Sequence, residues 1–259
     1  MNKKIILEVC ANSIDSALAA QNGGASRVEL CSNLNEGGTT PSQATIEITR
    51  KLLTIQLNVL IRPRGGDFLY NDHEFEIMKR DIEVCKTLGV DGVVIGILDE
   101  EGNIDFLRTQ KLIEIARPMS VTFHRAFDMA RDPLKSLSVL MNLGVDRLLT
   151  SGQQEKAFLG LTLIKSLINQ AGNSLCVMPG SGISSDNIVE IATTVNAKEY
   201  HMTGKKGIKS LMKYINPQVS LGGDPNVHEY LTWITDSGEI RKVVTLLDNL
   251  TSLNKLYSE

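Results

Sequence analysis

Short runs of apolar and β-branched residues alternate along this chain with longer segments whose apolar positions recur every three to four residues. A run of the first kind is typical of a buried strand, and a segment of the second kind of an amphipathic helix. The runs predict eight strands, over residues 5–10, 27–31, 57–62, 92–98, 120–126, 147–150, 175–178 and 199–202. The periodic segments predict eight helices, over residues 13–22, 41–53, 72–88, 105–116, 133–143, 155–170, 185–195 and 238–253. Ser13 and Thr40 are the expected N-caps of the first two.

Strict alternation of strand and helix indicates a parallel sheet, and eight such units close into a (β/α)8 TIM-like barrel. We therefore predict the α/β class and one barrel domain over residues 1–259. An open doubly wound sheet is the alternative, and it would lack pairing between the first and last strands. A connection at about 205–237 shows no periodicity, and connections of this length are usually functional or interfacial.

Composition and charge narrow the range of partners. The 27 Lys and Arg residues against 30 Asp and Glu give a net charge of −3 without a basic block, which argues against nucleic acid. No apolar run approaches the roughly 18 residues of a membrane span, and Glu8 and Asn12 interrupt the apolar start too early for a signal peptide. The four cysteines are widely spaced, as is typical of reduced thiols. We expect a cytoplasmic protein without nucleic-acid or membrane partners.

In a barrel of this class the carboxyl ends of the strands form the functional face. The first two strands end in the same Glu-x-Cys pattern, Glu8 with Cys10 and Glu29 with Cys31. Residues two apart share one face of a strand, so we expect both carboxylates and both thiols to enter the mouth at one level. The Cα atoms of the two cysteines are then expected about 5 to 6 Å apart. Arg62 follows at the end of the third strand.

Two interpretations of Glu8, Glu29 and Arg62 remain open. They form either a structural cluster of mutually compensating charges or part of a catalytic centre. His124 ends the fifth strand, where general acid/base catalysis is the natural use of a histidine that shares an opening with carboxylates. A core histidine with satisfied hydrogen bonds is the alternative.

A glycine-rich turn follows the seventh strand. Backbone N–H groups in such a turn converge on an anion, and the loops after strands seven and eight are the usual phosphate position in barrels. The predicted ligand-binding residues, from this turn and from three other strand ends, are Arg64, Thr150, Ser151, Gly180, Ser181, Gly182 and His201. A small anionic ligand is expected there, and no nucleotide cofactor is indicated. The alternative is a tight turn in which Ser184 or Ser185 caps the next helix.

Several stretches resemble the signatures of the CutC copper-homeostasis family, namely those at residues 8–10, 27–31, 36–42, 61–68, 121–128 and 149–152. The likeness continues to near the C-terminus, although Ser181 and Thr203 stand where the family tends to have glycine and serine. The resemblance implies a cytoplasmic TIM-like barrel, often a homodimer, that is linked to copper tolerance. It also implies Cys10 and Cys31 as copper ligands.

Two functions are therefore carried forward. In the first, the protein is a copper-homeostasis factor, in which the thiolates of Cys10 and Cys31 favour Cu(I) as soft ligands. In the second, it is a barrel enzyme that acts on a small phosphorylated or anionic substrate. There His124 is the acid/base, one of the two glutamates is its partner, and Arg62 holds the substrate charge. Two inert, buried cysteines are the alternative to a copper site.

Overall fold

The computed structural model describes residues 5–219 and 229–256, with side chains of the final helix up to Ser252. Residues 220–228, which belong to the predicted 205–237 connection, lie outside the described residues, as do residues 1–4 and 257–259.

Eight strands and eight helices follow one another in the order predicted from the sequence. The strands of the main sheet are β1 Ile6–Ala11, β2 Arg27–Leu30, β3 Gln56–Leu60, β4 Gly92–Ile95, β5 Ser120–Phe123, β6 Arg147–Thr150, β7 Cys176–Pro179 and β8 Glu199–Met202. The helices are α1 Ile14–Asn22, α2 Gln43–Leu52, α3 Asp72–Thr87, α4 Phe106–Ala116, α5 Pro133–Asn142, α6 Leu161–Ala171, α7 Ile188–Val195 and α8 Ser237–Leu256.

The main sheet is parallel throughout and closes on itself. Its strand order is β7-β6-β5-β4-β3-β2-β1-β8, so the first strand pairs with the eighth, with Ile6 opposite Glu199. A parallel bridge between Gly180 and His201 joins β7 to β8 and completes the ring. The pairing of β1 with β8 excludes the open doubly wound sheet and confirms the (β/α)8 barrel.

The connection after β8 contains structure that the sequence pattern did not predict. An antiparallel pair, β9 Lys205–Lys209 and β10 Leu231–Thr235, forms a separate two-stranded sheet. This pair lies against the start of α1, where Asn12 Nδ2 donates to the carbonyl oxygen of Trp233 and the Thr235 N–H donates to Ser16 Oγ, each at 3.2 Å. Because most residues of this pair are exposed, no apolar alternation marks these strands.

Helix starts differ from the sequence prediction where loop residues compete for the first turn. Ser13 caps α1 as predicted and accepts from the N–H of Ser16 at 3.1 Å. The cap of α2 is Ser42 instead of Thr40. A 3-10 turn precedes α6, and α7 begins only at Ile188, so neither predicted serine caps it.

Two apolar clusters are separated by the barrel wall. The large one lies between strands and helices, and it combines outward residues of the strands, among them Leu7, Val9 and Val28, with the buried faces of the helices. The small one lies inside the barrel and consists of Cys10, Cys31, Leu60 and Val94. Most other inward positions are polar, which is unusual for a barrel core and leaves many charges to be compensated.

None of the helices in the described ranges combines the length and the apolar character needed to cross a membrane.

Candidate functional site

A chain of ion pairs fills the lower part of the barrel interior. The Nε of Arg27 donates to Glu8 at 2.5 Å, and its other end pairs with Glu199, which also accepts from Arg147 Nε at 2.8 Å. Glu8 and Arg27 are both almost fully buried. The cation that compensates Glu8 is therefore Arg27, and the cluster predicted from Glu8, Glu29 and Arg62 is wrong in this respect. Arg62 lies beyond the last residue of β3, too far up the barrel for this role.

Glu8 is held in its ionised form. Burial alone would raise its pKa, but Arg27 and His201 outweigh burial and lower the pKa of Glu8 to about 2. A carboxylate in this state is fixed in charge at any physiological pH and accepts hydrogen bonds only. Glu8 therefore acts as a structural anion at the base of the site, and proton transfer falls to other groups.

His201 lies between the two glutamates. Its Nδ1 is 2.8 Å from Glu8 Oε1, and its Nε2 is 3.6 Å from Glu29 Oε2. Burial opposes protonation of the ring, but the neighbouring carboxylates outweigh it and raise the pKa of His201. For Glu29 burial has the larger effect, and the charges of His201 and Arg27 offset it only in part, so the pKa of Glu29 is raised. Both groups therefore keep a proton to a higher pH than the free side chains do.

The two cysteine thiols meet at the top of this arrangement. Cys10 Sγ lies 3.5 Å from Cys31 Sγ, and both residues are buried. The strand register differs from the predicted one, because Glu8 is opposite Arg27 and Cys10 is opposite Glu29. Cys31 comes just after β2 ends, and its N–H donates to the carbonyl of Ala11. The sequence predicted the neighbouring thiols but placed the two Glu-x-Cys patterns at the same level.

Three ligand types converge around Cys10. One ligand atom each from Cys10, Glu29 and His201 lies within 4.8 Å of the others. The hydrogen bond to Cys31, burial and the charge of Glu29 raise the pKa of the Cys10 thiol well above its ordinary range. The thiol is thus protonated at neutral pH, and any metal must displace its proton.

A cavity of about 380 Å³ opens above the thiols at the carboxyl end of the strands. Its wall includes Cys10, Glu29, Cys31, Arg62, Phe68, His124, Arg125, Ser181, Gly182, His201, Thr203 and Lys205. A larger cavity of about 690 Å³ surrounds Arg147 and Glu199 at the amino end. We take the smaller one as the functional site, because barrels carry their chemistry at the carboxyl ends.

His124 has only half of its ring engaged. Its Nδ1 accepts from the N–H of Ala126 at 3.1 Å, and within the described chain its buried Nε2 has no hydrogen-bond partner. Burial and the charge of Arg62 lower the pKa of His124 to about 3, so the ring is neutral. Neither glutamate bonds to it, and the predicted pairing of His124 with Glu8 or Glu29 does not form. The strand ends at Phe123, and the following 3-10 turn brings Arg125 to the same cavity.

Arg62 is held by carbonyl oxygens. Its two terminal nitrogens donate to the carbonyls of Glu36, Gly38 and Gly66 at 2.8, 2.8 and 2.6 Å. Its guanidinium carbon lies 4.9 Å from the centre of the Phe68 ring. Among the described residues it forms no ion pair, and its terminal nitrogens bond to uncharged carbonyl groups.

Three other predicted ligand residues are engaged elsewhere. Arg64 pairs with Glu74 at 2.6 Å and with Asp67 at 2.9 Å, outside the cavity. Thr150 and Ser151 donate their hydroxyls to Asp128 at 2.5 and 2.8 Å. The sequence did not predict that Asp128 accepts from both hydroxyls.

Asp128 in turn holds Arg125, whose Nε donates to it at 2.8 Å. The sequence signal for this ion pair was the spacing of three residues between Arg125 and Asp128.

The glycine-rich turn after β7 lies at the cavity only in part. Ser181 and Gly182 line it, both with positive φ, of 83° and 69°. Gly180 belongs instead to the bridge that closes the barrel. The N–H of Ser185 donates to Glu239 Oε1 at 2.7 Å, so a carboxylate of the chain already occupies the predicted anion position before α7.

Comparison with known proteins finds relatives over most of the chain. The sequence model of the CutC family matches residues 5–206. A human copper homeostasis protein cutC homolog is 45% identical over 245 residues, which cover 95% of this chain and 90% of the human protein. A CutC family protein of Bacteroides thetaiotaomicron is 48% identical over 239 residues, with 92% of this chain and 96% of that protein covered.

Solved structures give the same result. The crystal structure of a Streptococcus agalactiae protein described as copper homeostasis protein CutC superposes with a TM-score of 0.74 at 36% identity, covering 77% of this chain and 98% of that one. Thiamine phosphate pyrophosphorylase from Pyrococcus furiosus, at 15% identity and a TM-score of 0.57 over 96% of each chain, shares the fold alone. The match to the family over most of the chain, together with these relatives, shows that the chain belongs to the CutC copper-homeostasis family.

Proposed function

We propose that this protein serves copper homeostasis by binding Cu(I), as cargo, between Cys10 and Cys31. The observation that supports this proposal is the 3.5 Å separation of the two sulfur atoms at the floor of the cavity. Two thiolates at this separation can contact one ion, and thiolates select Cu(I) over hard cations such as Mg²⁺ or Ca²⁺. The relatives named for copper homeostasis support the same assignment.

The surroundings of the thiols provide a route for the protons that copper must displace. Glu29 is next to Cys10, and its raised pKa makes it able to accept a proton without a large cost. His201 lies 3.6 Å beyond Glu29 and connects it to the fixed anion Glu8. In this proposal, loss of the thiol proton to Glu29 accompanies metal entry, and Glu29 or His201 is close enough to supply a further ligand atom.

An anaerobic competition titration against a Cu(I) chelator tests the proposal. The wild type is expected to take up one tightly bound equivalent per chain, and Cys10→Ser and Cys31→Ser are each expected to lose it. Cys85→Ser and Cys176→Ser are the matched controls, because neither thiol reaches the cavity, and both are expected to bind like the wild type. Equal affinity in all four variants would remove this pair as the copper site.

Two further properties are part of the proposal. We propose a homodimer, in which a second copy covers apolar side chains that follow β9. Leu211, Met212 and Tyr214 are exposed by 97, 62 and 73% in the single chain, and apolar patches of this kind usually mark interfaces.

We also propose a cytoplasmic location, because all four cysteines are free thiols, and cell fractionation tests it directly.

A further inference from the structure

We propose that the cavity above the thiols holds a second site, which binds the phosphoryl group of a small organic phosphate through Arg62 and His124. This site is separate from the proposed copper site, and neither depends on the other. It also differs from the predicted anion site at the turn after β7, which Glu239 already occupies in part.

The first support is a buried hydrogen-bond donor without an acceptor. His124 is only 5% exposed and accepts at Nδ1 from Ala126, so the proton of the neutral ring is on Nε2. That Nε2–H has no acceptor in the described part of the chain. An unsatisfied buried donor destabilises the fold, and a ligand oxygen would remove that cost.

The ring of His124 is also held in one orientation. A Cβ on Gly96 would lie 2.3 Å from Cε1 and 2.4 Å from Nδ1, so only glycine leaves room for this edge of the imidazole. The edge that carries Nδ1 therefore packs against Gly96 and Ala126, and the unpartnered Nε2 lies on the opposite edge of a ring that lines the cavity. A donor that is fixed in this way favours one position of the ligand oxygen over others.

The second support is a buried positive charge that no carboxylate balances. Arg62 is 4% exposed, and its guanidinium donates to three carbonyl oxygens and interacts with the Tyr70 hydroxyl, none of which carries a charge. Burying an unpaired charge costs several kcal/mol, and an anion in the cavity would offset that cost. The Phe68 ring contacts both groups, at 4.9 Å from the guanidinium carbon and 5.1 Å from the centre of the His124 ring. The two donors therefore share one wall.

The balance of charge in the cavity favours a dianion. Arg62, Arg125 and Lys205 line it as cations, whereas Glu29 is the single carboxylate of its lining. Arg125 is balanced by Asp128, which leaves two cations without a carboxylate in the lining. A phosphoryl group carries up to two negative charges and several acceptor oxygens, so it matches these donors better than a carboxylate does. The volume of about 380 Å³ lies near the lower end of the range for small-molecule sites, so the cavity accommodates a phosphoryl group together with a small organic remainder.

Calorimetric titration of the full chain with inorganic phosphate, glycerol 3-phosphate and glycerol tests the proposal. Both phosphates are expected to bind, and glycerol is not. If glycerol 3-phosphate binds more tightly than inorganic phosphate, the ligand is an organic phosphate. If the two bind equally, the ligand is the free phosphate ion. Arg62→Gln and His124→Asn are each expected to weaken phosphate binding roughly tenfold or more, the effect of losing one charge-assisted hydrogen bond. Asn at 124 keeps an acceptor near the N–H of Ala126 but does not reach into the cavity.

Arg64→Gln is the matched control, because this arginine is two residues from Arg62 but pairs with Glu74 outside the cavity, and its phosphate affinity is expected to equal that of the wild type. Cys10→Ser is expected to keep phosphate binding while losing copper, which separates the two sites. If a variant does not fold, the wild type alone decides: millimolar phosphate should shift the Nε2–H resonance of His124, and glycerol should not. No binding by the wild type, an unshifted resonance, or equal affinity in all variants would overturn the proposal.

Discussion

Cys10 and Cys31 bring their sulfur atoms to 3.5 Å although the register of β1 and β2 places Cys10 opposite Glu29. Cys31 is the first residue after β2, and its N–H still donates to the carbonyl of Ala11, so its side chain enters the barrel beside that of Cys10. Glu29 consequently comes to lie beside a thiol, where it can influence the loss of its proton. The offset of the two Glu-x-Cys patterns is thus part of how the site works.

Mild oxidation of the metal-free protein is expected to join Cys10 to Cys31. Their sulfur atoms are already in contact, and a disulfide needs only a small change of side-chain rotamer from that position. Peptide mass mapping without reductant should find this pair linked, and the oxidised protein should bind no Cu(I). Cys85 and Cys176 are expected to remain free in the same sample; a linkage that involves either of them would contradict the geometry.

Glu8→Gln is expected to destabilise the barrel by about 3 kcal/mol, because it leaves the buried guanidinium of Arg27 with less compensating charge. Urea unfolding at pH 7 measures the free energy. Glu47→Gln provides the comparison, because Glu47 pairs with Lys51 on an exposed helix surface, where loss of the pair is expected to cost less than about 0.5 kcal/mol. Similar losses in both variants would mean that the inner ion chain contributes little.

Acid is expected to destabilise the wild type more than His124→Asn. The pKa of His124 is about 3 in the folded state and near 6.5 in the unfolded chain, because burial and the charge of Arg62 oppose protonation. Between these values the unfolded state binds more protons, so stability is present above pH 6.5 and is lost as the pH falls towards 3.

From pH 6.5 to 4.5 the wild type should lose roughly 2 kcal/mol more than the variant. Comparing the pH dependence of stability of the two proteins separates the contribution of His124 from those of Glu8 and His201, which also titrate on unfolding. Parallel curves for the two proteins over this range would show that His124 is not held neutral by the fold.

Leu211→Asp is expected to convert the proposed dimer to monomers, because the aspartate would put a charge into an apolar contact. The molar mass by light scattering reports the change. Leu107→Asp is the control, since Leu107 is also exposed, by 76%, but lies on α4, away from β9. A wild-type mass of one chain, or dissociation by both substitutions, would argue against an interface at this segment.

The sequence by itself determined the fold and the residues that point inward. Eight strand-helix units follow from local periodicity, because an amphipathic segment has a single way to hide its apolar face. The same rule placed Glu8 and Cys10 on one side of β1, and both are inside the barrel. Helix and strand ends were less certain, as at α7, because competing hydrogen bonds such as that of Ser185 with Glu239 come from distant residues.

Only the tertiary structure decided which charges meet. The register between β1 and β2 depends on how all eight strands tilt to close the barrel, which no single strand encodes. That register pairs Glu8 with Arg27, brings His201 between two glutamates, and leaves Arg62 without a carboxylate partner among the described residues. The pKa of each group then depends on its burial and on the charges beside it, and those charges come from residues that are far apart in the chain.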